Sequence, residues 1–181
     1  KVFIAGTQVD KGDSWYQGCD ENYVLTPTTN LNIPVPNANF YITLTGDVFN
    51  SKSASSVTRI THNICDDLVK TDSYGCYGST YYWARDFNLK DFGISTNEEY
   101  VITSGQVGLN DPAWGATVSF NIYKIDNNFP ASFSETDLIG SSQTIDVPPN
   151  IGEHSQIMQI DFKTPIIIPA GVEKILVENQ K

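Results

Sequence analysis

Apolar and polar residues alternate along much of this chain, in short blocks separated by turn residues. Phe40, Ile42 and Leu44 share one face of a predicted strand over Phe40 to Thr45, which Gly46-Asp47 closes. Within Ala116 to Ile125, Val118, Phe120 and Ile122 oppose Thr117, Ser119 and Asn121. Within Gln156 to Phe162, Met158, Ile160 and Phe162 oppose Gln159 and Asp161. The aromatic-rich stretch Tyr81 to Leu89 sets Phe87 and Leu89 against Asp86 and Asn88. Further strands are predicted at Val2 to Ala5, Val57 to Thr61, Tyr100 to Leu109, Leu138 to Gly140, Thr144 to Val147 and Lys174 to Glu178. Asn110-Asp111-Pro112, Asn127 to Pro130, Pro148-Pro149-Asn150 and Pro169-Ala170-Gly171 are turn signals. No long segment has a 3.6-residue period; only Leu89 to Phe92 and Pro130 to Phe133 have room for a helical turn. The predicted fold is all-β, an antiparallel β-sandwich or jelly-roll-like domain.

Two stretches break the alternation. Lys11 to Pro36 reads as a long polar loop carrying Trp15, Tyr16 and Tyr23, and Cys65 to Thr80 reads as another. Long loops on a β-scaffold are where binding tends to sit. Abundant Asn, Ser and Thr, with 12% aromatic residues, suit pleated strands and the turns between them.

A formal net charge of −10 over 181 residues leaves no basic stripe to displace phosphate counterions, which argues against nucleic acid. It argues equally against an anionic membrane surface, and no apolar run is long enough to span a bilayer. No signal peptide opens the chain, although a mature or excised segment would have lost one. Three cysteines, Cys19, Cys65 and Cys76, leave at least one thiol unpaired. Few Cys and few Lys fit an extracellular bacterial β-protein, and the chain has no Asn-x-Ser/Thr sequon. Zinc is disfavoured: no Cys-x-x-Cys occurs, and His62 and His154 are far apart.

Candidate chemistry is sparse. Asp66, Asp67 and Asp72 could supply oxygens to calcium, and Asp10, Asp13, Asp20 and Glu21 form a second acidic group. Neither has EF-hand spacing, and a solvated acidic loop is the plainer reading. Trp15, Tyr16 and Trp114, with Tyr74 and Tyr77, could stack on sugar rings; core packing is the alternative. Arg85, adjacent to Asp86 in a strand, points to the opposite face and reads as part of a structural ion pair. No Gly-x-Ser-x-Gly elbow accompanies either histidine, and an acidic chain offers many false carboxylate pairs, so no catalytic residue is assigned.

An ordered set of motifs runs from Ile60 to Val177. It comprises Ile60-Thr61-His62, Tyr81 to Phe87, Leu89-x-Asp91-Phe92-Gly93-Ile94, Ile102 to Gly108, Ala116 to Tyr123, Asp137 to Gly140, Pro169-Ala170-Gly171 and Ile175 to Glu178. This set resembles a β-sandwich module of secreted Bacteroidetes proteins, found beside secretion-sorting domains, in exported enzymes and in large surface proteins. The resemblance implies that a further segment should follow Ile175 to Glu178. Its features stand instead at the start, as Val2 to Gly6, Ser14-Trp15-Tyr16, Cys19 and Phe40 to Gly46. The order is that of a circular permutation. Residues 1–49 would be the family's C-terminal strands, 50–56 a linker and 57–181 its N-terminal strands.

On this resemblance the chain is a single permuted domain or one period of a tandem array. The edge at Ile175 would be completed by strands from residues 1–47, and neighbouring units could share strands. A Cys19–Cys76 disulfide is the pairing the resemblance implies, with Cys65–Cys76 also open. The expected function is a non-catalytic extracellular adhesion or structural module whose partners are neighbouring copies or repeats, with calcium as a possible bound ion. The alternative is a carbohydrate-binding accessory module of a secreted enzyme, with polysaccharide as partner.

Overall fold

The computed structural model describes residues 3–7, 13–17, 25–27, 39–50, 53–70, 82–110, 116–148 and 155–180. Fourteen strands are defined in these segments: β1 (Phe3–Thr7), β2 (Ser14–Gln17), β3 (Thr26–Pro27), β4 (Asn39–Phe40), β5 (Ile42–Asn50), β6 (Ser53–Thr61), β7 (Val69–Lys70), β8 (Tyr82–Asn88), β9 (Glu99–Asn110), β10 (Thr117–Ile125), β11 (Leu138–Ser141), β12 (Ile145–Asp146), β13 (Gln156–Ile168) and β14 (Lys174–Gln180). They form two antiparallel sheets. The first has the order β4-β1-β9-β5-β6, with β13 on the other side of β9 and β7 beside β1. The second has the order β11-β10-β14-β8-β2-β3, with β12 beside β10. The all-β sandwich expectation holds.

The alternating residues fill the space between the sheets. Phe40, Ile42, Leu44, Ile60, Ile102, Val107 and Ile160 of the first sheet meet Trp83, Phe87, Val118, Phe120, Ile122, Ile175 and Val177 of the second. Gly105 lets the Phe120 ring lie against the β9 backbone, since a Cβ there would sit 2.9 Å from two ring carbons. Arg85 also points inward and is fully buried, its Nη1 donating to the Phe40 carbonyl at 3.0 Å. The Phe40 N–H donates to Ser14 Oγ at 3.0 Å. Both backbone groups of Phe40 are thus held by strands of the second sheet.

Several boundaries differ from the sequence reading. The Lys11 to Pro36 loop contains β2 and β3, and β2 pairs with β8 through Ser14↔Arg85 to Gln17↔Tyr82. Within the stretch expected as a linker, residues 53–56 belong to β6, which pairs with β5 through Val48↔Ser56 and Asn50↔Ser53. Small polar residues there line a pleated hairpin end as readily as they form a coil. The stretch at Ile175 is not an edge either. β14 lies between β8 and β10, paired along its length to both. The strands of the first fifty residues, β1 to β5, all pair with strands of this same chain. β13 continues past Phe162 to Ile168, with an irregular register against β9 between Asp161 and Ile166 that accommodates Thr164-Pro165. Leu89–Phe92 does form a 3-10 turn, ended by Gly93 at φ +79°.

Two backbones approach closely at Gly46, where the β5–β9 register shifts. A Cβ there would be driven into the Val101 carbonyl oxygen and lie 2.8 Å from Ile102 Cα, both of them backbone. Gly46→Ala should therefore cost about 3 kcal/mol, in the range of forced backbone displacement. A shift in the urea midpoint at unchanged m-value measures it; an unshifted midpoint would mean the two strands can move apart freely.

Candidate functional site

The two sheets present different outer faces. That of the second sheet is roofed: Trp15, Leu25, Ala84, Tyr123, Ile125 and Leu176 form a second apolar cluster, and Phe129 and Phe133 pack on it. Trp15 belongs to this roof. It lies in a strand, not a loop, is 7% exposed, meets Phe129 edge-on at 4.7 Å and donates its indole N–H to Asp86 Oδ1 at 2.9 Å. Its ring face is therefore not offered to a sugar: of the two roles weighed for it, sugar stacking and packing, Trp15 has packing. Tyr16 lies beside it in β2, its backbone paired with Trp83. Trp114, Asp72, Cys19 and Cys76 lie outside the described residues, as do Tyr74 and Tyr77. Cys65 is exposed, with its thiol free.

Under the same roof Glu178 is 2% exposed and accepts from Asn121 Nδ2 at 2.8 Å and the Tyr123 hydroxyl at 3.3 Å. Burial raises its carboxyl pKa above the ordinary carboxylate range, against the lowering effect of these two bonds. Burial also raises the Tyr123 phenol, and the Glu178 charge adds to that shift.

The outer face of the first sheet is polar, with Arg59, Gln159 and Asp161 exposed and Tyr41 and Thr43 buried. A chain of hydrogen bonds crosses it. The buried Tyr41 donates its hydroxyl to Asp66 Oδ1 at 2.8 Å and accepts from Arg59 Nη2 at 2.8 Å. Gln106 Nε2 donates to Gln159 Oε1 at 3.2 Å, and Gln159 Nε2 to Asp161 Oδ1 at 2.9 Å. Asp66 is thus engaged, with Arg59 3.3 Å from the same oxygen. The Tyr41 hydrogen bond and then the Arg59 guanidinium hold its carboxyl below the usual range. A calcium ion at Asp66 would face that guanidinium. Asp67 and Asp13 are exposed, and among the described residues no three His, Cys, Asp or Glu gather closely enough to hold a metal ion.

A third feature lies on the flank. β14 pairs with β8 along residues 82–88, but β2 pairs with β8 only along 82–85. Beyond that point the chain leaving β6 comes alongside. His62 Nε2 lies 2.9 Å from the Asp86 carbonyl, an acceptor, so Nε2 carries the proton. The imidazole stacks on Phe87, with centroids 4.7 Å apart and planes 5° apart, and Phe92 tilts against it at 5.7 Å. Between these segments opens a cleft of about 630 Å³ bordered by His62, Asn63, Asp86, Asn88, Asp91 and Phe92. Sequence reasoning weighed His62 only as a metal ligand or a catalytic base. The aromatic pair Phe87 and Phe92, flanking a short turn, was the signal for the cleft wall. Among the described residues no helix is long and apolar enough to cross a membrane.

Two pH effects follow. The raised carboxyl of Glu178 means the folded state holds a proton that the unfolded state has lost. Its contribution to stability therefore falls as pH rises from the ordinary glutamate pKa through the raised one. Glu178→Gln keeps an Oε1 acceptor for Asn121 and Tyr123, so it should raise Tm at pH 8, leave it nearly unchanged at pH 4 and flatten the profile between. A lower Tm at pH 8 would mean that the charge itself is stabilising. For Asp66 the sign is opposite: its depressed pKa gives stability above the ordinary aspartate pKa that is lost as pH falls through the folded value. Tyr41→Phe should return the Asp66 carboxyl toward ordinary values in an NMR titration. No family model matches the chain, and no match was found among curated proteins or among solved structures.

Proposed function

We propose that this chain is a non-catalytic extracellular β-sandwich module of a bacterial surface protein, serving adhesion. The observation that best supports this reading is how the chemistry-bearing side chains are used. His62 is committed to the Asp86 carbonyl, Arg85 to the Phe40 carbonyl, the Asp86 carboxylate to Trp15, and Asp66 to Tyr41 and Arg59. Most of these bonds cross-link segments distant in sequence, as a load-resisting framework requires, while a polar sheet face and a flank cleft carry exposed side chains for contact. The Asn-, Ser- and Thr-rich, Lys-poor composition and the resemblance to exported modules support a place at the cell surface. A second reading, a carbohydrate-binding accessory module of a secreted enzyme, is favoured by the polar cleft with an aromatic wall.

Beads carrying the protein, passed over polysaccharide-coated and protein-coated surfaces under flow, test the proposal alongside turnover assays on glycan, ester and peptide substrates. Retention without turnover is expected. Turnover abolished by one carboxylate substitution would overturn it.

A further inference from the structure

The flank cleft has a definite chemical character. One wall is aromatic and fixed: Phe87 is fully buried, His62 lies flat on it and is tied to the Asp86 carbonyl, and Phe92 leans on both rings. The opposite border is polar. Asn88 stands at the end of β8, the 3-10 turn that follows brings Asp91 to the rim, and Asn63 is held by its own N–H donating to Thr61 Oγ1 at 3.1 Å. Ile64, more than half exposed, adds an apolar lip.

This character selects among ligand classes. Among the described residues no Lys or Arg borders the cleft, while two carboxylates do, which disfavours a phosphate, sulfate or carboxylate ligand. An apolar ligand would strip water from the exposed Asp91 carboxylate at the rim with nothing to replace it. A calcium ion wants six to eight oxygens, and the Asp86 carboxylate already takes the Trp15 indole N–H. A neutral polyhydroxyl compound matches what remains. Its hydroxyls can donate to Asp91 and to the amide oxygens and accept from the amide N–H groups, while the C–H face of a sugar ring lies against Phe92. The volume, about 630 Å³, lies within the range of small-molecule sites.

We propose that the cleft between Thr61–Ile64 and Asp86–Phe92 binds a neutral saccharide, with Asp91 and Asn88 as hydrogen-bonding residues and Phe92 as the stacking surface. The proposal rests on the reading of the chain as a non-catalytic binding module and names the class of ligand for it.

The test is an NMR titration of the full chain with neutral hexasaccharides of glucose, xylose, mannose and galactose, repeated for Asp91→Ala and Asn88→Ala. Asp91 is exposed and Asn88 lies at the end of its strand, so both variants should keep the wild-type spectrum elsewhere. At least one hexasaccharide should shift resonances clustered in 61–64 and 86–92, and each variant should weaken that binding tenfold or more, with EDTA having no effect. Any of three results overturns the proposal: no hexasaccharide binds, the shifts map elsewhere, or both variants bind as the wild type does. Calcium chloride alone reproducing the shifts, with EDTA removing the saccharide effect, also overturns it in favour of a cation site. Bead retention that persists in both variants while the titration fails would remove the cleft proposal and leave the adhesion reading standing.

Discussion

Unpaired backbone at the sheet margins is the constraint on which the rest of this structure depends. A sandwich, unlike a barrel, leaves strand edges, and an edge strand offers a row of N–H and C=O groups to any passing chain. Here side chains take over where strands run out. His62 binds the Asp86 carbonyl past the end of the β2–β8 pairing. The Tyr100 hydroxyl binds the Thr58 carbonyl of β6 at 2.9 Å. Gln143 donates to the Asp161 carbonyl at 2.8 Å and accepts from the Lys163 N–H at 3.0 Å, closing β13 where its register against β9 is irregular. Each bond satisfies a backbone group without supplying a strand template, so the sandwich is closed locally without being extended.

The same constraint explains the buried polar residues. Arg85 would be a heavy liability in the interior without hydrogen bonds. It sits where the chain passes from β4 to β5, and it answers the Phe40 carbonyl at that crossing. Ser14, one strand over, answers the Phe40 N–H. Tyr41 is buried on the other side of the same crossing, its hydroxyl reaching the Arg59 and Asp66 pair. One segment, residues 39–42, therefore links both sheets, the core and the polar outer face. Its side chains are conditioned by neighbours from four different strands.

That distribution also accounts for what could be read from the sequence. Alternation identified Ile42, Leu44, Val118, Phe120, Ile122, Ile160 and Phe162 as inward-facing, because one strand's own pattern carries that information. It missed the burial of Tyr41 and Thr43, which lie on the polar side of their strand and are covered by residues of other elements. It placed Trp15 in a loop because β2 is four residues long, too short to show a period. It read residues 50–56 as a linker because serines lack a preferred face, and it read Ile175 as an edge because pairing partners cannot be seen along one strand. The cleft was least legible of all. Its two walls are more than twenty residues apart, and only the β2–β8 pairing, ending at Arg85, decides that a gap opens between them.

Edge closure and recognition then become one arrangement. The His62 ring that closes β8 is the ring against which Phe92 leans, so the cleft wall is set by backbone hydrogen bonding and core stacking before any ligand arrives. A wall fixed in this way has little conformational entropy left to lose on binding. A single shallow polar site gives modest affinity for a hydroxylated ligand, because each hydrogen bond formed replaces one to water. Adhesion strong enough to hold a cell would come from many such sites on one surface, each raising the effective concentration seen by the next. Side-chain bonds to the backbone of β6 and β13 blunt part of each edge, and so reduce what those strands offer to the sheet of a neighbouring copy.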